Sequence, residues 1–311
     1  MKTILEANLP ISHVLIKAVE FLQEQPRHGG EIFQIVPCKD KQSEFLNKNN
    51  HPNDLDLFSK EELRSKVSPV TEDINSWLKE NGYNITLQPV LNDPYSFAVA
   101  SILEVATEWL KKGEETSIPV GPSLSYKAFK LSDMRIAANH IKNYPHPKIS
   151  IRTRSNDTVE FLKSDGLVTN PLKMYEFACD NMVKNNLENV WGSSSVDRGQ
   201  FSTITIPELN IDVRPDISWL VDLKFASEIN WYRITEALQQ IKFKMNKVGT
   251  EVKTAVAIQV VSGSICISTK DLPSYVVDSP FYIWITRKGL VQPYFSGHIG
   301  LESFQEQKIT L

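Results

Sequence analysis

The sequence predicts an α+β fold, because helical periodicity is confined mainly to its first third while alternating, strand-like patterns crowd its end. The early signal is Ile11, Val14, Leu15, Ala18, Val19 and Leu22, which recur at the spacing of one helical face after Pro10. The late signal is Phe201 to Ile206, then Ile241, Phe243 and Met245, then a hairpin of Phe281 to Ile285 with Tyr294 to Ile299 across Arg287-Lys288-Gly289. Nothing in that order alternates regularly enough for a doubly wound parallel sheet.

The elements follow in chain order. After the first helix, Gln23 to Lys66 turns polar, with Pro26, Gly29, Gly30 and the run from Asn47 to Asn53, which predicts short pieces joined by loops. Thr71-Glu72-Asp73 offers capping side chains to a helix carrying Ile74, Trp77 and Leu78 on one side, and Gly82 is placed to end it. Ser96 to Trp109 is rich in apolar positions (Phe97, Val99, Ile102, Leu103, Val105) and predicts a strand covered on both faces, although periodicity leaves a buried helix open. Lys148-Ile149-Ser150-Ile151 is a further strand, and Pro171 to Glu188 has helical spacing through Met174, Phe177, Ala178 and Met182. With no internal repeat, low-complexity linker or abrupt charge shift, residues 1–311 are expected to form a single domain.

Composition excludes several classes of function. A net charge of −3 offers no basic surface for nucleic acid. No segment is long and apolar enough to span a bilayer, so no membrane partner is expected. Met1 to Asn8 does not develop the apolar core of a signal peptide, which predicts a cytoplasmic protein, or a secreted one if the chain is a trimmed mature form. Three cysteines (Cys38, Cys179, Cys266) are too few and odd in number for a disulfide framework, and they predict free thiols.

Motifs of catalysis are poor, so no enzyme activity, cofactor or metal is expected. The six histidines show no HExxH or paired Cys/His spacing. His140 and His146 flank a Tyr-Pro turn and read as an ordinary polar loop. His28-Gly29-Gly30 lacks the strand and helix of a phosphate loop and reads as a turn. Gly192-Ser193-Ser194-Ser195 lacks the second glycine of a serine elbow. Asn84-Ile85-Thr86 and Asn156-Asp157-Thr158 are glycosylation sequons only in a secreted protein.

The C-terminal third carries the most specific pattern. Val248-Gly249-Thr250-Glu251 leads into an alternating run, Val252 to Val261, and later into Asp278-Ser279-Pro280-Phe281 and the closing hairpin. That order resembles the reactive loop and C-terminal hairpin of serpins. Further landmarks stand in the family's order: Pro10-Ile11-Ser12 at the start of the first helix, Glu72 to Trp77 followed by Gly82 to Leu91, Ser96 to Lys112 with Trp109 on the strand's tryptophan, Gln200 to Ile211, and Asp278 to Gly297. The resemblance implies a serpin-like fold, a mixed central sheet with further sheets and surrounding helices, reduced relative to a full-length serpin.

It also implies a function. The chain resembles a protease inhibitor acting as a suicide substrate, whose partner is a serine or cysteine protease and whose loop, about residues 249–277, enters the central sheet after cleavage. The hinge is Gly249, Thr250, Glu251, Val252 and Thr254. One parity of the loop, Thr250, Val252, Thr254 and Val256, carries no charge, as burial in a sheet requires, whereas Glu251 and Lys253 fall on the other. The scissile region is Gly263, Ser264, Ile265, Cys266 and Lys270: counting forward from Gly249 points to Gly263-Ser264, and counting back from Pro280 points between Cys266 and Lys270. Lys270 suits a trypsin-like enzyme and Ile265 or Val261 an elastase-like one, while Cys266 reads as a small apolar filler. Sheet switch and breach positions are Ser12, Ser101, Trp109 and Gln239.

Departures from the family pattern are plain. Val252 and Lys253 stand where small alanines are usual, Lys247 where a glutamate is usual, Ser101 for asparagine and Gln239 for histidine. The short chain and the altered switch residues favour the alternative of a non-inhibitory serpin-fold protein that binds a partner or ligand, while the intact Gly-Thr-Glu hinge and the insertable parity favour inhibition. Ala255 to Val261 is uncharged and strongly β-prone, so part of the loop is expected to be paired already in the resting protein; self-association by loop-sheet exchange is the corresponding hazard.

Overall fold

The computed structural model describes residues 2–49, 51–89, 96–132, 136–141, 144–164, 177–180, 201–252 and 273–308. They fall into two compact units, one of Met1–Glu6, Glu104–Ile211 and Lys242–Leu311, the other of Ala7–Leu103 and Asp212–Ile241.

The first unit is built from sheets. Six antiparallel strands run in the order Ile4–Glu6, Phe295–Ile299, Phe281–Arg287, Asp157–Lys163, Pro147–Arg152 and Ile136–His140. Phe281–Arg287 is apolar at nearly every position because it lies inside this sheet and is buried on both faces. Its register, Phe281 opposite Ile299 and Ile285 opposite Phe295, makes the closing hairpin predicted from the sequence. A second sheet places Leu124–Ser132 between Glu114–Pro119 on one side and Thr203–Pro207 and Glu306–Lys308 on the other, with Ser274–Val276 added parallel to Thr203–Pro207. The third sheet has the order Leu209–Val213, Ile241–Met245, Gly249–Val252 and Val105–Glu108.

The buried charges at the centre of the six-stranded sheet are paired, whereas the Thr158 and Ser296 hydroxyls are buried there without a hydrogen-bond partner. Glu160, fully buried, takes the Lys148 ammonium at 2.7 Å and the Ser150 hydroxyl at 2.8 Å on one oxygen, and the Trp284 indole N–H on the other. Such a buried carboxylate is tolerated only because its charge and lone pairs are answered.

The second unit packs around one helix. Asn8–Glu24 buries Ile11, Leu15, Ala18 and Leu22 against Phe33, Phe45, Leu220, Leu223 and Phe225. Each buried aliphatic side chain contributes about 1.5–3 kcal/mol. The helix starts two residues before Pro10, which sits in its first turn, where proline lacks no needed N–H. Gln23 to Lys66 forms the expected short pieces: Pro26–His28, Gln34–Val36, Asp40–Asn49, Pro52–Leu55 and Leu63–Ser68. Gly29 and Gly30 both have positive φ, so His28-Gly29-Gly30 is a turn.

Two sequence expectations need correction. Thr71 lies inside the helix Thr71–Glu80, whose N-cap is Val70, without a side-chain cap. Asp73 instead accepts a hydrogen bond from the Ser68 hydroxyl at 2.8 Å. Gly82 does end the helix, at φ 81°, with the Tyr83 N–H reaching back to the Leu78 carbonyl at 2.9 Å. The apolar run from Ser96 to Trp109 is not one strand. It divides at the buried Glu104 into Ala98–Leu103, paired with Leu63–Ser68, and Val105–Glu108, which belongs to another sheet. Apolar content reports burial and cannot report where a ladder breaks. Of Pro171 to Glu188, residues 177–180 are described and are helical.

Candidate functional site

The Gly-Thr-Glu motif occupies the middle of the third sheet. Gly249–Val252 runs antiparallel to both neighbours, with Thr250 opposite Met245 on one side and Thr107 on the other, and Val252 opposite Val105. A tight turn delivers the chain there: the Asn246 side-chain oxygen accepts from the Val248 N–H at 2.8 Å and the Gly249 N–H at 3.4 Å, and the Asn246 N–H donates to the Gly249 carbonyl at 3.0 Å.

Glycine is required at 249 by space. A Cβ there would stand 1.9 Å from the Thr107 carbonyl oxygen and 2.9 Å from Glu108 Cα. Thr250 follows, buried to 1% exposure, and its hydroxyl is bonded to that of Thr107. Neighbouring inward positions are apolar (Val105, Ile241, Phe243, Met245), so this hydroxyl pair is the polar contact that fixes register in an otherwise apolar layer.

Trp109 closes the upper end. Its backbone N–H donates to the Val248 carbonyl at 3.0 Å and its indole N–H to the Asn246 carbonyl at 2.8 Å, so one buried residue holds both sides of the turn. Gly113 adds a bond to the Lys247 carbonyl at 2.7 Å, and Lys247 pairs with Glu115, holding that carboxyl below its ordinary pKa.

The far side of the loop is anchored separately. Ser274–Val276 pairs in parallel with Thr203–Pro207, the Thr203 hydroxyl donates to Ser274 at 2.7 Å, and the Val277 N–H reaches the Thr205 carbonyl at 2.9 Å. Burial raises the pKa of the Tyr275 phenol, whose ring lies 5.2 Å from the Lys163 ammonium.

The sequence-predicted residues are thus divided. Gly249, Thr250, Glu251 and Val252 lie together in one strand beside Trp109. Thr254 and the whole scissile region (Gly263, Ser264, Ile265, Cys266, Lys270) lie outside the described residues, as do Gly192 to Ser195. Ser12, Ser101 and Gln239 fall in the second unit and are bonded to three different partners. Ser12 donates to the Asn49 carbonyl at 3.0 Å, Ser101 pairs with Nδ1 of His13 at 2.8 Å, and Gln239 donates to the Ala7 carbonyl at 2.8 Å. Sequence reasoning missed Thr107, Asn246 and His13. Asn246 carries a recognisable signal, an asparagine three residues before a glycine, whereas Thr107 and His13 carry none. Burial lowers the His13 pKa to about 4, Lys17 adding to the effect, so its imidazole is neutral at neutral pH. Among the described residues no group of His, Cys, Asp and Glu could hold a metal ion.

No family model matches the sequence, and a search of curated proteins finds no match. Solved structures do match. The chain is similar to Serpin48, a highly specific serpin of the insect Tenebrio molitor, with a TM-score of 0.55 and 11% identity over 96% of this chain and 92% of that one. The chain has the serpin fold. Human thyroxine-binding globulin in complex with thyroxine gives a TM-score of 0.52 at 13% identity, and human glycosylated kallistatin 0.50 at 11%, each over 96% of this chain and 91% of theirs. In this serpin fold the Gly-Thr-Glu segment is a central strand and the closing Pro-Phe hairpin lies within a six-stranded sheet.

Proposed function

We propose that this chain is a serpin-type protease inhibitor that acts as a suicide substrate. The observation that carries the reading is the strand Gly249–Val252, seated antiparallel between Val105–Glu108 and Ile241–Met245 at the start of the loop. A sheet that accepts the first residues of the loop from both sides provides the template on which the rest can add. In the proposed reaction the protease's serine or cysteine attacks a carbonyl within Gly263 to Lys270, the amide C–N bond breaks, and the departing amine takes a proton from the protease's base. The acyl group stays on the protease while the hinge side of the loop moves into the sheet. Lys270 or Ile265 at the cut would select a trypsin-like or an elastase-like enzyme.

A second reading, a non-inhibitory binding protein, is favoured by the division of the predicted long strand at Glu104, which limits the ladder beside Val252. Thyroxine-binding globulin, with the same fold, is named for a ligand.

Incubation with trypsin-like and elastase-like proteases separates the two. Inhibition predicts an adduct that survives denaturing electrophoresis, and a thermal midpoint that rises by roughly tens of degrees once the loop between Val261 and Leu272 is nicked, as release of stored strain requires. Complete cleavage with neither adduct nor shift would overturn inhibition in favour of binding.

A further inference from the structure

The second unit carries a small three-stranded sheet. Trp231–Arg233, Lys224–Ala226 and Gln34–Val36 lie side by side, antiparallel, with Trp231–Arg233 at one edge. Register places Tyr232, Phe225 and Ile35 on the inner face, where Phe225 joins the buried core. On the outer face stand Trp231, Arg233, Lys224, Ala226, Gln34 and Val36.

This outer face and its end hold the three most exposed large hydrophobic side chains among the described residues: Ile229 at 79%, Ile32 at 72% and Trp231 at 61%. They are held close to one another, because Glu31 accepts from the Asn230 side chain at 2.8 Å and from the Ser227 hydroxyl, tying the segment before Ile32 to the turn that carries Ile229. Exposed apolar groups gathered at one place mark an interaction surface.

The charges say what kind of partner fits. The Lys224 ammonium lies 5.3 Å from the centre of the Trp231 ring, and Arg233 follows Trp231 on the same face. Asp222 is engaged by both Arg233, at 3.2 Å, and Lys39, at 3.4 Å. Glu31 is used within the turn, and Glu228 sits at its tip. The strands of this face carry Lys224 and Arg233 and no acid of their own, Arg233 sharing Asp222 with Lys39, so the face beside Trp231 is apolar with an excess of positive charge. A second copy meeting it through the same face would set Lys224 and Arg233 against their own images, which disfavours a symmetric dimer.

The backbone adds direction. The Ser227 N–H donates to the Asn230 carbonyl and the Ile234 N–H to the Leu223 carbonyl, so the alternation of an antiparallel pair turns the Tyr232 groups toward Phe225 and those of Trp231 and Arg233 outward from the sheet. We propose that this edge and face dock an extended, acidic and apolar segment of another protein, which adds as a strand beside Trp231–Arg233, its apolar side chains on Trp231 and its carboxylates on Lys224 and Arg233.

The test is to pan a displayed library of random dodecapeptides against the full chain, then measure the enriched peptides by fluorescence anisotropy. Acidic, apolar peptides are expected, their affinity falling with salt and dropping at least tenfold for Trp231→Ala and for the Lys224→Glu/Arg233→Glu pair. Should Trp231→Ala lower the thermal midpoint, Ile229→Ser, at a more exposed position, serves in its place. Failure to enrich such peptides, equal binding by the variants, tighter binding of a single-stranded oligonucleotide probe, or a dimer in sedimentation that these substitutions dissociate would each overturn the proposal.

Discussion

Replacing Gly249 by alanine tests the close packing of the strand Gly249–Val252 against Val105–Glu108 most directly. The added methyl would lie 1.9 Å from the Thr107 carbonyl oxygen, about 1.5 Å inside ordinary contact at 3.4 Å, and the obstacle is backbone, which cannot swing aside. The strand must therefore retreat from Val105–Glu108, and a retreat of that size takes an N–H···O distance near 2.9 Å past the limit of a hydrogen bond. Losing about two ladder bonds at roughly 0.5–1.5 kcal/mol each, together with the buried Thr250–Thr107 hydroxyl pair at about 1 kcal/mol, gives a loss of roughly 2–4 kcal/mol. Gly249 does not have a left-handed φ, so the effect is steric and not conformational. Urea denaturation measures the energy, and amide exchange at Thr250 and Glu251 reports the strand. Gly121→Ala, with nothing within 4 Å of the new methyl, is the control and should change stability by less than about 0.5 kcal/mol. If Gly249→Ala matches that control in both measurements, the reasoning fails.

Two further outcomes follow from buried charge. Glu160→Ala leaves Lys148 buried without its counter-ion and should cost about 3–5 kcal/mol in urea denaturation, whereas the double change Glu160→Leu/Lys148→Met should recover most of that loss. For His13, the folded pKa of about 4 lies below the ordinary 6.5, so the folded state binds fewer protons than the unfolded chain. Its contribution is intact above about pH 6.5 and is lost as pH falls toward 4. Stability over that window should fall more steeply in the wild type than in His13→Gln, by at most about 1.4 kcal/mol per pH unit, which denaturation at a series of pH values will show.

How much could be read from the sequence depends on what each element buries. The first helix was legible because Ile11, Leu15, Ala18 and Leu22 all face one core. The closing hairpin was legible because Phe281 to Ile285 is surrounded by strands and tolerates no polar interruption. The break at Glu104 was not legible: an acid between Leu103 and Val105 differs little in pattern from an outward position of a continuous strand. The Gly249-Thr250-Glu251 motif stands out in the sequence, but the partner of Thr250, Thr107, does not, since a cross-strand hydroxyl pair leaves no mark on either local sequence. Ser101 and Gln239, carried over by resemblance, have bonding partners that the sequence does not name. Gln239 bonds the Ala7 carbonyl, and Ser101 bonds the imidazole of His13 on the first helix.

The strands on either side of the loop belong to different ladders, and this decides what a cut would do to the particle. Everything after the loop includes Phe281–Arg287, which is zipped residue by residue between Asp157–Lys163 and Phe295–Ile299. A clipped C-terminal piece is therefore woven into the middle of a sheet and has no route out short of unfolding it. A nicked molecule would travel through a sizing column as one body and come apart into two bands only in detergent.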